Sequence, residues 1–207
     1  LLGIRTAELH LALAAGREGD LRPEPFTIAF QQQTTARMLE QLEPTLDAIR
    51  GSADALDEAS RPDAEAVLAA RELIERTLSA FAERPIDAVR IRIHGDFHLG
   101  QVLVAGGDVV IIDFEGEPAR SLAERRSKAS ALVDVAGMLR SFQYAGSARL
   151  GEETNPTGAT RARRWAEESS LAFLDAYLDT ADGAAFLPSN DEDLRTVLRA
   201  HLVDKAL

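Results

Sequence analysis

Three oxygen-bearing side chains stand at a spacing that phosphoryl transfer can use: Asp96, Gln101 five residues later, and Asp113 beyond the next apolar run. A carboxylate on a short loop can take a proton from a hydroxyl. An amide oxygen and a second carboxylate are hard ligands suited to Mg²⁺, which keeps water and phosphate oxygens in its other positions. This is the division of labour in kinase-type transfer, where positioning and charge neutralisation supply most of the rate. The protein-kinase pattern likewise sets a metal-binding amide five residues after the base, and a metal-binding Asp after the following hairpin.

Taken singly, His-x-Asp, or an Asp that ends a strand, is a common turn former. The combination, bracketing a single hairpin, carries the functional reading. His94 reads as a structural residue of the site, hydrogen-bonding the backbone near Asp113, while His98 either touches substrate or braces the loop. Their spacing could suit a metal, but the loop motif accounts for both. His10 and His201 fall on helices away from the cluster and read as ordinary surface or core residues.

The elements that must position this cluster are mostly helical. Ile4, Ala7, Leu11 and Ala15 form one helical stripe that ends at Gly16. Thr27 can cap a helix through Arg50, bent at Pro44 and stopped at Gly51. Pro62 suits a first turn, and Val67, Ile74, Leu78 and Phe81 mark the buried face of the next helix. The texture changes at Val89, where Val89 to Ile93 alternates as a half-buried strand does. Val102–Val104 and Val109–Ile112 are β-branched runs joined by Gly106-Gly107-Asp108, a hairpin turn. Both polar clusters therefore reach one end of the hairpin. Helix resumes near Ser130, with Leu132, Val135, Leu139 and Phe142 on one stripe. Gly146 to Gly158 reads as a loop, and helices from about Thr160 to Thr180 and from Asp191 complete the chain. The fold expected is mainly α with a small α+β part: a helical body carrying a β-hairpin.

Composition narrows the function. With no cysteine, disulfides, thiolate zinc sites, iron–sulfur clusters and a Cys nucleophile are excluded. Lys and Arg number 23 against 34 Asp and Glu, a net charge of −11 that repels phosphate backbones and anionic lipids. No nucleic-acid or membrane partner is therefore expected. No apolar run reaches the ~20 residues of a bilayer span, and no N-terminal signal pattern is visible, so the expected location is the cytoplasm.

The segments Ile93-His94-Gly95-Asp96-Phe97-His98-Leu99-Gly100-Gln101-Val102-Leu103 and Ile111-Ile112-Asp113-Phe114-Glu115-Gly116-Glu117-Pro118 strongly resemble the actinobacterial maltokinases. So do Leu122–Arg126, Asp134–Phe142 and the opening Arg5–Ala14. The resemblance is specific mainly from Ile93 to Tyr144, where related glucosamine kinases look similar. It implies a protein-kinase-like C-terminal lobe within the aminoglycoside-phosphotransferase superfamily, with residues 93–118 as the catalytic and metal-binding segment. It implies ATP-dependent phosphorylation of maltose at its anomeric hydroxyl, for α-glucan synthesis from trehalose, in some relatives fused behind a trehalose synthase. Carried over, Asp96 is the base, Gln101 and Asp113 hold Mg²⁺, and Glu115 supports the metal. Glu117, Arg125 and Arg126 fall where the sugar is lined or phosphate neutralised, although the two arginines read equally as solvated charge. Asp134 caps or anchors its helix.

The family's N-terminal lobe, with its nucleotide-binding strand, lysine and partner glutamate, has no counterpart pattern in these 207 residues. The chain opens without Met, and its last apolar repeat runs to the end, so the expectation is one lobe, residues 1–207, of a longer kinase. Alone it is expected to bind Mg-ATP weakly or not at all, to be inactive, and to self-associate through the face that meets the missing lobe. Two other readings stay open: a kinase for another sugar or amino sugar such as glucosamine, and a non-catalytic kinase-like binding domain.

Overall fold

A computed structural model describes residues 1–58, 60–118, 121–152 and 156–207. Its first helix, α1 (Leu2–Ala14), buries Gly3, Thr6, Ala7 and His10 and leaves Ile4 and Leu11 more than a third exposed. The buried face is thus rotated from the expected apolar stripe. Close packing is the reason: a Cβ at Gly3 would lie 2.3 Å from the Phe173 carbonyl oxygen, so small residues must face that neighbour. The helix carrying Phe173 is α7 (Pro156–Thr180).

A two-residue strand, β1 (Glu24–Pro25), precedes α2 (Ile28–Ser52), which Thr27 caps by accepting the Phe30 N–H, as its sequence suggests. The single helix expected next is two, α3 (Arg61–Ala69) and α4 (Arg71–Ala80). Leu78 and Phe81 are buried as expected, whereas Val67 on the first of the pair is 40% exposed. The strand expected over Val89–Ile93 is cut to β2 (Val89–Arg90), because its partner β1 offers only two residues. Glu24 clamps the crossing, accepting from Arg90 at 2.6 Å and Lys128 at 2.8 Å.

The hairpin is where the sequence puts it: β3 (Val102–Ala105) pairs antiparallel with β4 (Asp108–Ile111), in register from Val102 opposite Ile111. Gly106 and Gly107 both have positive φ, 59° and 86°, the geometry of a tight hairpin turn. A short α5 (Leu122–Arg126), absent from the sequence reading, is started by a capping box between Ser121 and Glu124.

The centre of the molecule is α6 (Leu132–Glu152), whose first three turns are buried on most sides by Leu132, Val135, Ala136, Met138, Leu139 and Phe142. On it pack α7 and α8 (Asp191–Asp204), with α1 against α7 and α4 against α8. The loop expected over Gly146–Gly158 is largely helix: α6 runs to Glu152 and α7 starts at Pro156, a residue suited to a first helical turn. Asn155, part of that expected loop, lies outside the described residues. The mainly helical fold with small antiparallel sheets agrees with expectation. Among the described residues no helix is long and apolar enough to cross a membrane.

One ion pair ties the hairpin to the helical body. Arg5 of α1 donates two hydrogen bonds to Asp108 at 2.9 and 2.6 Å. The Arg5 bond and the Val109 N–H lower the Asp108 pKa to about 2. A carboxyl depressed on folding stabilises the native state above its unfolded pKa of roughly 4, and that contribution is lost as pH falls toward 2. Asp108→Asn should therefore flatten the acid limb of melting temperature against pH between about 4 and 2. An unchanged acid limb would show that the pair contributes nothing.

Candidate active site

The loop from His94 to Gln101 joins β2 to the hairpin, and its start is held from below by one carboxylate. Asp134 of α6 accepts the His94 N–H at 2.8 Å on Oδ2 and the Gly95 N–H at 2.9 Å on Oδ1. His10 Nε2 lies 3.0 Å from the same Oδ2, and His10 Nδ1 lies 2.8 Å from the Tyr177 hydroxyl of α7. Burial opposes the charge on Asp134, but the His10 hydrogen bond and charge, with the two amides, hold its carboxyl below the usual range. Burial, with the Asp134 charge, raises the Tyr177 phenol, so it remains a donor. A phenol donating to Nδ1 leaves the His10 proton on Nε2, facing Asp134.

This buried network corrects two expectations. Asp134 anchors the loop rather than its own helix, and His10 belongs to the site's foundation. The available signal was a carboxylate set inside the apolar run Leu132–Val135, where an unpaired charge would be costly.

His94 is buried and donates through Nε2 to the Ile112 carbonyl at 2.8 Å, one residue before Asp113. Its ring is packed by Phe97 and Phe114, with centroids 5.3 and 5.0 Å away. It thereby fastens the loop to the end of β4. Asp113 itself has φ 65°, the one residue other than glycine in the left-handed region among those described. Asp tolerates that backbone better than most side chains, and such outliers gather at functional sites.

At the mouth of the hairpin Gln101 Nε2 donates to Asp113 Oδ2 at 3.0 Å. His98 stands between this pair and Asp96: its Nε2 is 3.4 Å from Gln101 Nε2 and 4.0 Å from Asp96 Oδ2. His98 Nδ1 accepts the Gly100 N–H at 3.1 Å, so its ring braces the loop as well as bordering the base. A Cβ at residue 100 would sit 2.8 Å from that ring, which is why glycine is there. Asp96, Gln101 and Asp113 thus form one polar row linked by His98.

Glu115 is exposed, and no three His, Asp or Glu side chains among the described residues form a metal-holding group. The donor set nevertheless fits Mg²⁺. That ion dehydrates reluctantly and is usually held by one or two protein oxygens, with water and substrate phosphates completing its shell. Asp113 carries one such oxygen, and turning over the Gln101 amide, whose Nε2 now donates to Asp113, would set its Oε1 beside it as a second.

Two clefts flank the loop. One, of about 520 Å³, is lined by Gly95, Gly116, Glu117, Arg125 and Lys128 and by α2 residues such as Arg37. The other, of about 330 Å³, is lined by Asp96 and His98 together with residues of α6 and the end of α8. Glu117 and Arg125 therefore share the larger cleft, while the exposed Arg126 lines neither.

A loop carboxylate, an amide–carboxylate pair across a hairpin and a helical body define a kinase-like phosphotransferase lobe. Residues 2–179 match the phosphotransferase enzyme family, and the chain belongs to it. It is 33% identical over 180 residues to a glucosamine kinase of Streptacidiphilus jiangxiensis, covering 86% of this chain and 37% of that protein. A glucosamine kinase of Mycolicibacterium smegmatis is 34% identical over 143 residues, or 69% of this chain and 32% of the relative. The solved structure of a glucosamine kinase in a second crystal form matches with a TM-score of 0.78 at 28% identity, covering 99% of this chain and 45% of the other. One in complex with glucosamine, ADP and inorganic phosphate matches with a TM-score of 0.77 at 28% identity, covering 99% and 47%. The chain spans less than half the length of these relatives. They carry the name of the amino-sugar alternative, so the likeness to maltokinases holds at the level of the family.

Proposed function

We propose that this chain is the catalytic lobe of an ATP-dependent kinase whose acceptor is a small sugar of the glucosamine class. The observation that carries the reading is the polar row Asp96–His98–Gln101–Asp113 at the hairpin mouth. The glucosamine kinase names of the relatives favour an amino sugar over maltose. In the reaction, Asp96 accepts the proton of the acceptor hydroxyl as its oxygen bonds to the γ-phosphorus and the bond to the β-phosphate breaks, releasing ADP. Gln101 and Asp113 would hold Mg²⁺, whose charge offsets that of the phosphates when bound. Glu115, exposed two residues beyond Asp113, would support the metal.

The test is ATP turnover by the natural polypeptide carrying this chain, with glucosamine, maltose, glucose and an aminoglycoside as separate acceptors. Glucosamine should be turned over fastest. A preference for maltose would restore the reading from the motif, and turnover of none would leave a binding domain on a kinase fold. Asp113→Asn keeps a side chain suited to positive φ while removing the charge. It should raise the Mg²⁺ concentration for half-maximal rate by roughly tenfold or more, the loss expected for a charge-assisted contact, and excess Mg²⁺ should restore part of the rate. An unaltered Mg²⁺ dependence would remove Asp113 from the metal site.

A further inference from the structure

The Gln101 amide stands between two neighbours with opposite demands. Its Nε2 donates to Asp113 Oδ2 at 3.0 Å, so the nitrogen, not the oxygen, faces that carboxylate. The same Nε2 lies 3.4 Å from His98 Nε2. Whether this second contact is a hydrogen bond depends on where the imidazole carries its hydrogen.

The other ring nitrogen decides that. His98 Nδ1 accepts the Gly100 N–H at 3.1 Å, and a ring nitrogen that accepts carries no hydrogen. The hydrogen of the neutral ring therefore sits on Nε2. The ring lies close over Gly100, where a Cβ would meet its Cε1 at 2.8 Å and Nδ1 at 2.9 Å, so this orientation is held. His98 Nε2–H thus meets the Gln101 NH₂ donor against donor, and Asp96 Oδ2 at 4.0 Å is beyond hydrogen-bond reach.

Turning the amide over relieves one side and loads the other. Gln101 Oε1 would then accept from His98 Nε2–H, but it would face Asp113 Oδ2, oxygen against oxygen. Two such oxygens become good neighbours when a hard cation lies against both. His98 therefore favours the one amide orientation that a metal needs and that Asp113 alone opposes.

We propose that His98 is a positioning residue of the metal site, its Nε2–H holding the Gln101 amide with the oxygen toward the cation that Asp113 shares. The inference rests on the metal reading of Gln101 and Asp113 and adds the residue that orients the amide. A partner of this kind acts without touching the metal, and losing one weakens metal affinity by roughly 10–100-fold.

Two variants separate the work of the two ring nitrogens. Asparagine at 98 can keep an acceptor near the Nδ1 position, and with it the brace to Gly100, but has no atom where Nε2 stood. Glutamine reaches the Nε2 position with a donor and gives up the brace. The side chain is 44% exposed, so both variants should fold, and circular dichroism would verify it. Mn²⁺, a paramagnetic stand-in for Mg²⁺, would be titrated into the full natural polypeptide holding a non-hydrolysable ATP analogue, with water-proton relaxation as the readout. His98→Asn should bind Mn²⁺ roughly tenfold more weakly, and His98→Gln should stay within about threefold of the parent. Parent-like affinity in His98→Asn, or an equal or greater loss in His98→Gln, would make His98 a loop brace only and overturn the assignment, while weakened binding in Asp113→Asn would keep the metal reading in place. Mn²⁺ binding that is absent, or untouched by Asp113→Asn, would overturn the metal reading and this inference with it. The nitrogen NMR signals of the His98 ring give a check that needs no variant: the hydrogen should be on Nε2, and a ring protonated at Nδ1 would overturn the assignment.

Discussion

Asp96→Asn should leave a normally folded protein whose turnover is about 10²–10⁴-fold lower, the usual contribution of a positioned general base. The carboxylate is half-buried and makes no hydrogen bond among the described residues; its backbone N–H makes one, to His94 Nδ1 at 3.4 Å. An amide of the same shape preserves that backbone contact and cannot accept the acceptor's proton. The informative comparison is kcat against melting temperature in the same preparation. A variant with near-normal kcat would dismiss Asp96 as the base, and a large fall in melting temperature would show that the carboxylate is structural after all.

The reverse pattern is expected at Asp134. Its two oxygens take three donors: the His94 and Gly95 amides and His10 Nε2. An asparagine side chain in its place would put an NH₂ group against one of these donors at a fully buried position. Breaking a buried charged network typically costs about 3–5 kcal/mol, and a chain of this length loses roughly 2–4 °C per kcal/mol. Asp134→Asn should therefore melt on the order of 10 °C lower. Activity should fall with it, because the loop that presents Asp96 is no longer fixed at its first two residues. Differential scanning calorimetry decides the matter: an unshifted transition would mean that the loop is held by something else, for instance the His94 bond to Ile112.

These two carboxylates also mark how far local sequence dictates the site. The proximity of Asp96, Gln101 and Asp113 was legible because all three lie within one hairpin unit, where a local spacing becomes a local geometry. The hairpin turn and the cap at Thr27 were legible for the same reason. Asp134, His10 and Tyr177 come from three helices far apart in the chain, and helical periodicity says nothing about which faces meet. The α1 stripe misled because apolar spacing predicts a greasy face, whereas the real interface selects small residues and one histidine. The loop expected at Gly146–Gly158 misled because glycine weakens a helix by only about 1 kcal/mol. Packing overrides that: a Cβ at Gly146 would lie 3.0 Å from the Ala166 methyl and 3.1 Å from the Ala162 carbonyl oxygen of α7.

The left-handed backbone at residue 113 carries a lesson about substitution at this site. On the proposed metal role two filters act there at once: the side chain must bear an oxygen, and the main chain must accept φ 65°. Glutamate passes the first filter and is disfavoured by the second, glycine the reverse, and among uncharged residues asparagine alone passes both readily. Natural drift at this position therefore has almost nowhere to go, and a lineage that abandoned phosphoryl transfer would reveal itself here by glycine sooner than by a conservative-looking glutamate.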